Sequence, residues 1–141
     1  MPSEALLEQY LASSYRIDDA GREIVMHVGV RCRELAALQR ARGVASSAFL
    51  TAWNPGSRAL AESENKARNE ALERDAASSG FQLREARGRS PDRDWCEESY
   101  LVLGVDRGTA LALARKHGQV AFLFVDAEGL PELVLCEEEP R

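Results

Sequence analysis

Apolar residues recur along this chain with two different periods, which separate helices from strands. Helical spacing predicts helices over residues 4–13, 32–42 and 60–79, and a further one that opens at 106–109 and ends at Gly118. Shorter apolar or alternating runs predict strands over residues 15–17, 23–30, 47–53, 81–87, 100–105, 120–125 and 130–136. Because helices alternate irregularly with neighbouring strands, the order predicts an α+β fold: a mainly antiparallel or mixed sheet with three main helices packed on it, plus a short N-terminal helix.

Turn-rich and polar segments mark the connections between these elements. Residues 18–21 and 126–129 have the composition of tight turns, so each predicts a hairpin between the strands that flank it. Residues 87–94 are polar throughout and predict an exposed loop. At 141 residues the chain has the length of one domain. We therefore expect a single domain over 1–141, in which 1–14 form the N-terminal helix and the acidic tail 137–141 is frayed.

The long helix over residues 60–79 carries an unusual core-facing stripe. Leu72 and Ala76 define its apolar side, and the same side extended backwards by helical turns passes through Asn69 and Asn65. Amide side chains that continue an apolar stripe require hydrogen-bond partners inside the protein. The spacing therefore predicts that both asparagines point inward, near the start of the helix.

Polar residues with aromatic neighbours collect at the ends of strands and the starts of helices, which predicts a ligand pocket. Amides and hydroxyls recognise planar hydrogen-bonding groups, and tryptophan offers a stacking surface, so a small polar or nucleotide-like ligand fits this chemistry. The alternative is structural: Asn54 caps its own turn, while Asn65 and Asn69 tie the loop to the helix. The candidate binding residues are Thr51, Trp53, Asn54, Asn65, Asn69, Trp95, Ser99 and Gln119.

Catalytic and metal-binding motifs are absent from the sequence. There is no phosphate-binding loop, no dinucleotide fingerprint and no nucleophile elbow, and the two histidines lack partners at metal-ligand spacing. The three cysteines are far apart, which predicts reduced side chains rather than disulfides or a zinc site. We therefore predict neither a metal nor a cofactor. An enzyme, a hydrolase or transferase, is the second hypothesis, with Glu98 as its general acid or base.

The net charge and the distribution of apolar residues indicate which kinds of partner to expect. A net charge of -5 makes a nucleic-acid surface unexpected, and no apolar run reaches the length of a membrane helix. The first residues lack the pattern of a signal peptide, so we expect a cytoplasmic protein. The third hypothesis is an interaction module, with a homodimer formed through a sheet edge or the first helix.

Three segments together resemble a family of small bacterial proteins, domain of unknown function (DUF) family 3293. They are Thr51-Ala52-Trp53-Asn54-Pro55 with Asn65 after it, Trp95-Cys96-Glu97-Glu98-Ser99, and Gly118-Gln119-Val120-Ala121. The resemblance covers roughly residues 15 to 135 and implies a single-domain cytosolic protein, but it implies no activity. The family's signature positions fall here on Thr51, Trp53, Asn54, Pro55, Asn65, Trp95, Glu98, Ser99 and Gln119. The chain departs from the family pattern at Cys96, where proline is usual, and at His117, where an aromatic residue is usual.

Overall fold

The chain folds into four α-helices and one seven-stranded antiparallel sheet, as seen in a computed structural model that describes residues 2–92 and 96–136. This confirms the predicted α+β class. The elements are α1 (Glu4–Ala12), β1 (Ser14–Asp19), β2 (Arg22–Met26), α2 (Arg33–Ala41), β3 (Ser47–Leu50), α3 (Glu62–Ser78), β4 (Gln82–Arg89), β5 (Cys96–Leu103), α4 (Arg107–Lys116), β6 (Ala121–Val125) and β7 (Pro131–Leu135). Trp95 and the tail 137–141 lie outside the described residues.

The strands are ordered β2-β1-β4-β5-β3-β6-β7, and every pairing between them is antiparallel. The hairpins β1–β2 and β6–β7 form the two edges, as their turn-rich connections predict. β3 lies between β5 and β6, and all four of its residues are buried. The segment that follows β3 therefore emerges from the middle of the sheet.

Side chains alternate between the two faces of the sheet, and each face has its own core. The first face packs against α2, where Leu35 joins Ile17 and Leu101 in one apolar cluster. The second face packs against α3 and α4, where Leu72 and Ala110 join a separate cluster. Burial of these apolar surfaces on both faces is the main source of stability for such a layered fold.

Both asparagines of α3 point inward, as the helical spacing predicts. The buried residues of α3 are Asn65, Asn69, Leu72 and Ala76, so the helical phase read from the sequence is confirmed. By contrast, α1 contributes no buried residue to the fold, and Leu11 is 53% exposed. None of the helices in the described ranges combines the length and apolar character needed to span a bilayer.

β4 and β5 extend beyond their predicted boundaries: β4 runs to Arg89, into the segment predicted as a loop, and β5 begins at Cys96 rather than at Tyr100. Arg89 pairs with Cys96 of β5 on one side and with Ser14 of β1 on the other. Flanking strands on both sides satisfy the backbone groups, so this polar segment stays extended whatever its local turn preference.

Candidate functional site

The segment between β3 and α3, residues 51–60, has a tightly bent backbone. Three of its residues adopt positive φ angles: Asn54 at 48°, Gly56 at 66° and Ser57 at 62°. For the asparagine and the serine, this left-handed conformation costs roughly 1–2 kcal/mol per residue. Such a conformation persists only where surrounding contacts hold it in place. The contacts of the 51–60 loop come from three parts of the chain.

The first set of contacts comes from Asn65 on α3. Its Oδ1 accepts a hydrogen bond from the backbone N–H of Asn54 (2.8 Å), and its Nδ2 donates to Oδ1 of Asn54 (2.8 Å). The same Asn54 oxygen also accepts from the backbone N–H of Leu60 (3.1 Å). The two asparagines therefore form a reciprocal amide pair that closes the loop against the start of α3.

The second set comes from Asn69, one helical turn further along. Its Oδ1 accepts from the backbone N–H of Ala52 (2.7 Å), and its Nδ2 donates to the main-chain carbonyl of Glu98 in β5 (2.8 Å). Thr51 Oγ1 donates to the same carbonyl (2.7 Å). Asn69 is 4% exposed and Asn65 is 2% exposed. Both side chains thus act as internal supports, which is the structural alternative raised for them from the sequence.

The third set comes from the turn after α4. The carbonyl of Gly118 accepts from the N–H of Gly56 (2.7 Å), and Gln119 Nε2 donates to the carbonyl of Trp53 (3.3 Å). Gly118 has a φ of +73°, and a Cβ at that position would lie 2.8 Å from Cβ of Pro55. No side chain fits between the turn and the loop, which explains why glycine precedes Gln119.

A cleft of about 40 Å³ opens beside the loop on the first face of the sheet. It collects three of the predicted site residues from distant parts of the sequence, together with four aromatic residues and one acidic residue. Its lining includes Thr51, Ser99, Gln119, Tyr10, Tyr15, Phe49, Phe122 and Glu97. Trp53 and Asn54, which follow Thr51 in the loop, are half-buried and do not belong to the described lining of the cleft.

The polar groups of the cleft differ in how far they are already satisfied. Thr51 Oγ1 accepts from the N–H of Trp53 (3.1 Å) besides its donated bond, and Ser99 Oγ donates to the carbonyl of Glu97 (3.1 Å). Gln119 donates through Nε2, whereas its Oε1 accepts no hydrogen bond from any residue in the described ranges. The side-chain oxygen of Gln119 is therefore available to a hydrogen-bond donor from outside.

Two tyrosines form the wall of the cleft nearest α1. Tyr15 donates its hydroxyl to the carbonyl of Tyr10 (2.7 Å) and packs edge-on against Phe49, with ring centroids 5.1 Å apart. Burial raises the pKa of both phenols; for Tyr10 the neighbouring Ser57 partly offsets it. Both rings therefore stay neutral at physiological pH, as apolar surfaces with a polar tip.

Glu98 does not share this cleft, although its neighbour in sequence does. Successive residues of β5 point to opposite faces, so Ser99 lines the cleft while the carboxylate of Glu98 lies on the second face, opposite Arg87 of β4. The side chain is exposed there, at an open groove of about 570 Å³. Only the main-chain carbonyl of Glu98 belongs to the contacts that hold the loop.

The interaction between α3 and the end of α4 was not predicted from the sequence. His117 Nε2 lies 2.7 Å from Asp75 Oδ2, and Lys116 Nζ lies 2.9 Å from the same oxygen. Hydrogen bonds from Lys116 and His117 lower the pKa of Asp75. The helical phase of α3 places Asp75 next to Ala76 but does not reveal α4 beside it. Tyr10 also gave no signal, because its role depends on how α1 lies over the sheet.

Comparison with known proteins gives one match. A family described as a protein of unknown function (DUF3293) matches residues 50–122, which is more than half of the chain. The chain belongs to this family. The DUF3293 match starts at the end of β3 and includes the whole 51–60 loop, α3, β5 and the Gly118-Gln119 turn. Neither the curated proteins nor the solved structures include a match to the chain.

Proposed function

We propose that this DUF3293 protein binds a small polar molecule in the cleft on the first face of the sheet. The observation that carries the proposal is the side chain of Gln119, which lines the cleft and whose Oε1 accepts no hydrogen bond from the described residues. Polar groups in a mainly apolar and aromatic recess are the usual makeup of a ligand site. Gln119 is half-buried, so its oxygen is open to solvent and can accept from a ligand that brings its own N–H or O–H group.

The chemistry of the cleft favours a planar ligand with both donors and acceptors, such as a nucleobase or a primary amide. Its N–H would meet Gln119, while the rings of Tyr15 and Phe49 offer apolar surface to its faces. A volume of about 40 Å³ admits only the edge of such a group. The remainder of the ligand would extend past Tyr10 on α1, whose helix contributes no buried residue and can shift at low cost.

A thermal-shift screen tests the proposal. Nucleobases, nucleosides and simple amides should include compounds that raise the midpoint of unfolding, because a ligand that binds only the folded state stabilises it. Gln119→Leu removes the free acceptor and should abolish the shift. Gln82→Leu is the matched control: Gln82 is an exposed residue of β4 outside the cleft, so the shift should persist. Equal shifts in the two variants, or no shift with any compound, would count against binding in this cleft.

The alternative of an enzyme with Glu98 as general acid or base receives less support. A catalytic carboxylate works best beside the groups that hold the substrate, and the side chain of Glu98 is exposed on the face opposite Thr51 and Ser99. Self-association stays a prediction, with β2 and β7 as the two edge strands. Light scattering on a purified sample measures the mass in solution and tests it directly.

A further inference from the structure

A second concave region lies on the second face of the sheet, away from the cleft. It is a groove of about 570 Å³ formed by β1, β2, β4 and β5, and neither α3 nor α4 contributes a residue to its described lining. The size falls within the range of about 300–1,000 Å³ that small-molecule sites occupy. The groove exists because the helices on this face cover only part of the sheet.

The groove is lined by more carboxylates than guanidinium groups. Its acidic residues are Asp18, Glu23, Glu85 and Glu98, and its basic residues are Arg16 and Arg87. Some of these charges already have partners: Arg16 Nη1 lies 2.9 Å from Glu23 Oε1, and Asp18 Oδ1 accepts from the N–H of Gly21 (2.9 Å).

The other charged side chains of the groove have no partner among the described residues. Glu85, Arg87 and Glu98 make no hydrogen bond or ion pair through their side chains to any residue within 2–92 or 96–136. Glu98 is directly opposite Arg87 on the neighbouring strand, and Glu85 is directly opposite Tyr100. Two free carboxylates therefore flank one free guanidinium and one aromatic ring.

The pKa of Tyr100 is affected by burial and by the negative charges around this groove. The ring is half-buried, and its hydroxyl donates to Glu73 Oε1 at 3.3 Å. Burial raises the pKa of Tyr100 to about 12, and the charges of Glu73, Glu85 and Glu98 add to the effect. The phenolate is disfavoured because the surroundings are already negative, and the same surroundings favour a cation.

We propose that the groove binds a small organic cation, an amine or amidinium carried on a planar apolar body, with Glu85 and Glu98 as its counter-charges and Tyr100 as its aromatic surface. A cation gains from both carboxylates through charge-assisted hydrogen bonds and from the face of the ring. Arg87 determines the orientation of the ligand, because the positive end of the ligand must lie away from that guanidinium. The site is independent of the cleft, since it lies on the other face of the sheet.

Amide NMR spectra of the whole chain provide the test, with benzamidine and benzylamine as cationic probes. Benzoate and benzyl alcohol have similar ring size with negative or no charge and serve as controls. The cations should shift resonances of β1, β4 and β5, at residues that line the groove, and the effect should weaken as salt is added. Benzoate and benzyl alcohol should leave those resonances in place. Equal binding of benzoate, or no response to either cation, overturns the proposal.

Substitutions identify the counter-charges. The double variant Glu85→Gln and Glu98→Gln should weaken cation binding by about tenfold or more, because two charged partners become neutral. Both side chains are exposed, so the fold should be retained. Glu128→Gln is the matched control at an exposed position in the β6–β7 turn, at the other edge of the sheet, and should bind as the unmodified chain does. Unchanged affinity in the double variant also overturns the proposal.

Discussion

Ser99 and Glu98 are neighbours in one strand, yet they belong to two regions of opposite character. Ser99 lines a narrow cleft that holds one carboxylate, Glu97, whose walls are largely aromatic rings and whose support comes from buried amide hydrogen bonds. The side chain of Glu98 lies in a wide groove with free charges. The strand period of two separates them, so a short polar run can supply both faces of a sheet with different chemistry.

The support behind the two regions also differs. The cleft depends on the 51–60 loop, and the loop depends on Asn65, Asn69 and the Gly118-Gln119 turn. The groove consists of side chains on regular strands and shares only the backbone of Glu98 with that network. Loss of a loop contact should therefore damage the cleft and leave the groove largely intact, which provides three ways to test the comparison.

The largest effect is expected from Asn69→Leu. The substitution leaves the N–H of Ala52 and one acceptor position of Glu98 without their partner in a buried place. We expect the free energy of unfolding to fall by about 2–4 kcal/mol. Urea denaturation measures the change.

The control for Asn69→Leu is Arg68→Leu, an exposed residue one position earlier in the same helix, which should change stability by less than about 0.5 kcal/mol. In amide NMR spectra, Asn69→Leu should shift resonances of the loop and cleft much more than those of β1 and β2. Comparable losses in the two variants would show that Asn69 is not a support.

A smaller effect is expected from Gly118→Ala. The new Cβ would approach Cβ of Pro55 to 2.8 Å, and the φ of +73° is unfavourable for alanine. We expect a loss of roughly 2–3 kcal/mol, part from the backbone and part from the contact with the loop. Urea denaturation again gives the value.

Gly43→Ala separates these two contributions. Gly43 follows the C-cap of α2 as Gly118 follows that of α4, has a φ of +71°, and has open space where a Cβ would be. Its substitution should cost only the backbone part, roughly 1 kcal/mol. If both variants lose the same stability, the close approach of Pro55 has no energetic consequence. The Gly118 turn would then not support the loop beside the cleft through that contact.

Much of this arrangement could be predicted from the sequence. Spacing and capping residues located the four α-helices of the described ranges, and the phase of α3 placed Asn65 and Asn69 in the interior, because a helix fixes which residues share a side. Hairpin turns located the edge strands for the same local reason. The predicted grouping of Thr51, Ser99 and Gln119 is also consistent with the cleft that they line.

Other parts depended on contacts between distant segments. The extension of β4 to Arg89 required β1 and β5 as partners, and the local sequence of that polar segment does not indicate them. The separation of Glu98 from Ser99 required β5 to extend back to Cys96, which it does by pairing with β4. The amides of Asn65 and Asn69 were correctly placed, but their partners in the loop were not identifiable until the backbone of Asn54 was known.

The smallest effect is expected from the pH dependence that Asp75 contributes. Its pKa in the folded chain lies below the ordinary value of 3.8, through hydrogen bonds from Lys116 and His117. A lowered folded-state pKa means that the carboxylate stabilises the fold above that ordinary value, and that the contribution disappears as the pH falls through the folded-state pKa. Asp75 holds the end of α4 just before Gly118, so acid should loosen the turn that supports the cleft.

Asp75→Asn should lower stability slightly at neutral pH and flatten the decline towards roughly pH 3. Urea midpoints measured across that range give the comparison, with Glu70→Gln, an exposed position on the same helix, as the control that keeps the original decline. Resonances of the groove should respond to acid alike in the unmodified chain and in Asp75→Asn. Those of the cleft should respond less in the variant, because the interaction that acid removes is already gone. A pH profile for Asp75→Asn that coincides with that of the unmodified chain would mean that the end of α4 is held by packing alone, and that the cleft needs no charge to keep its shape.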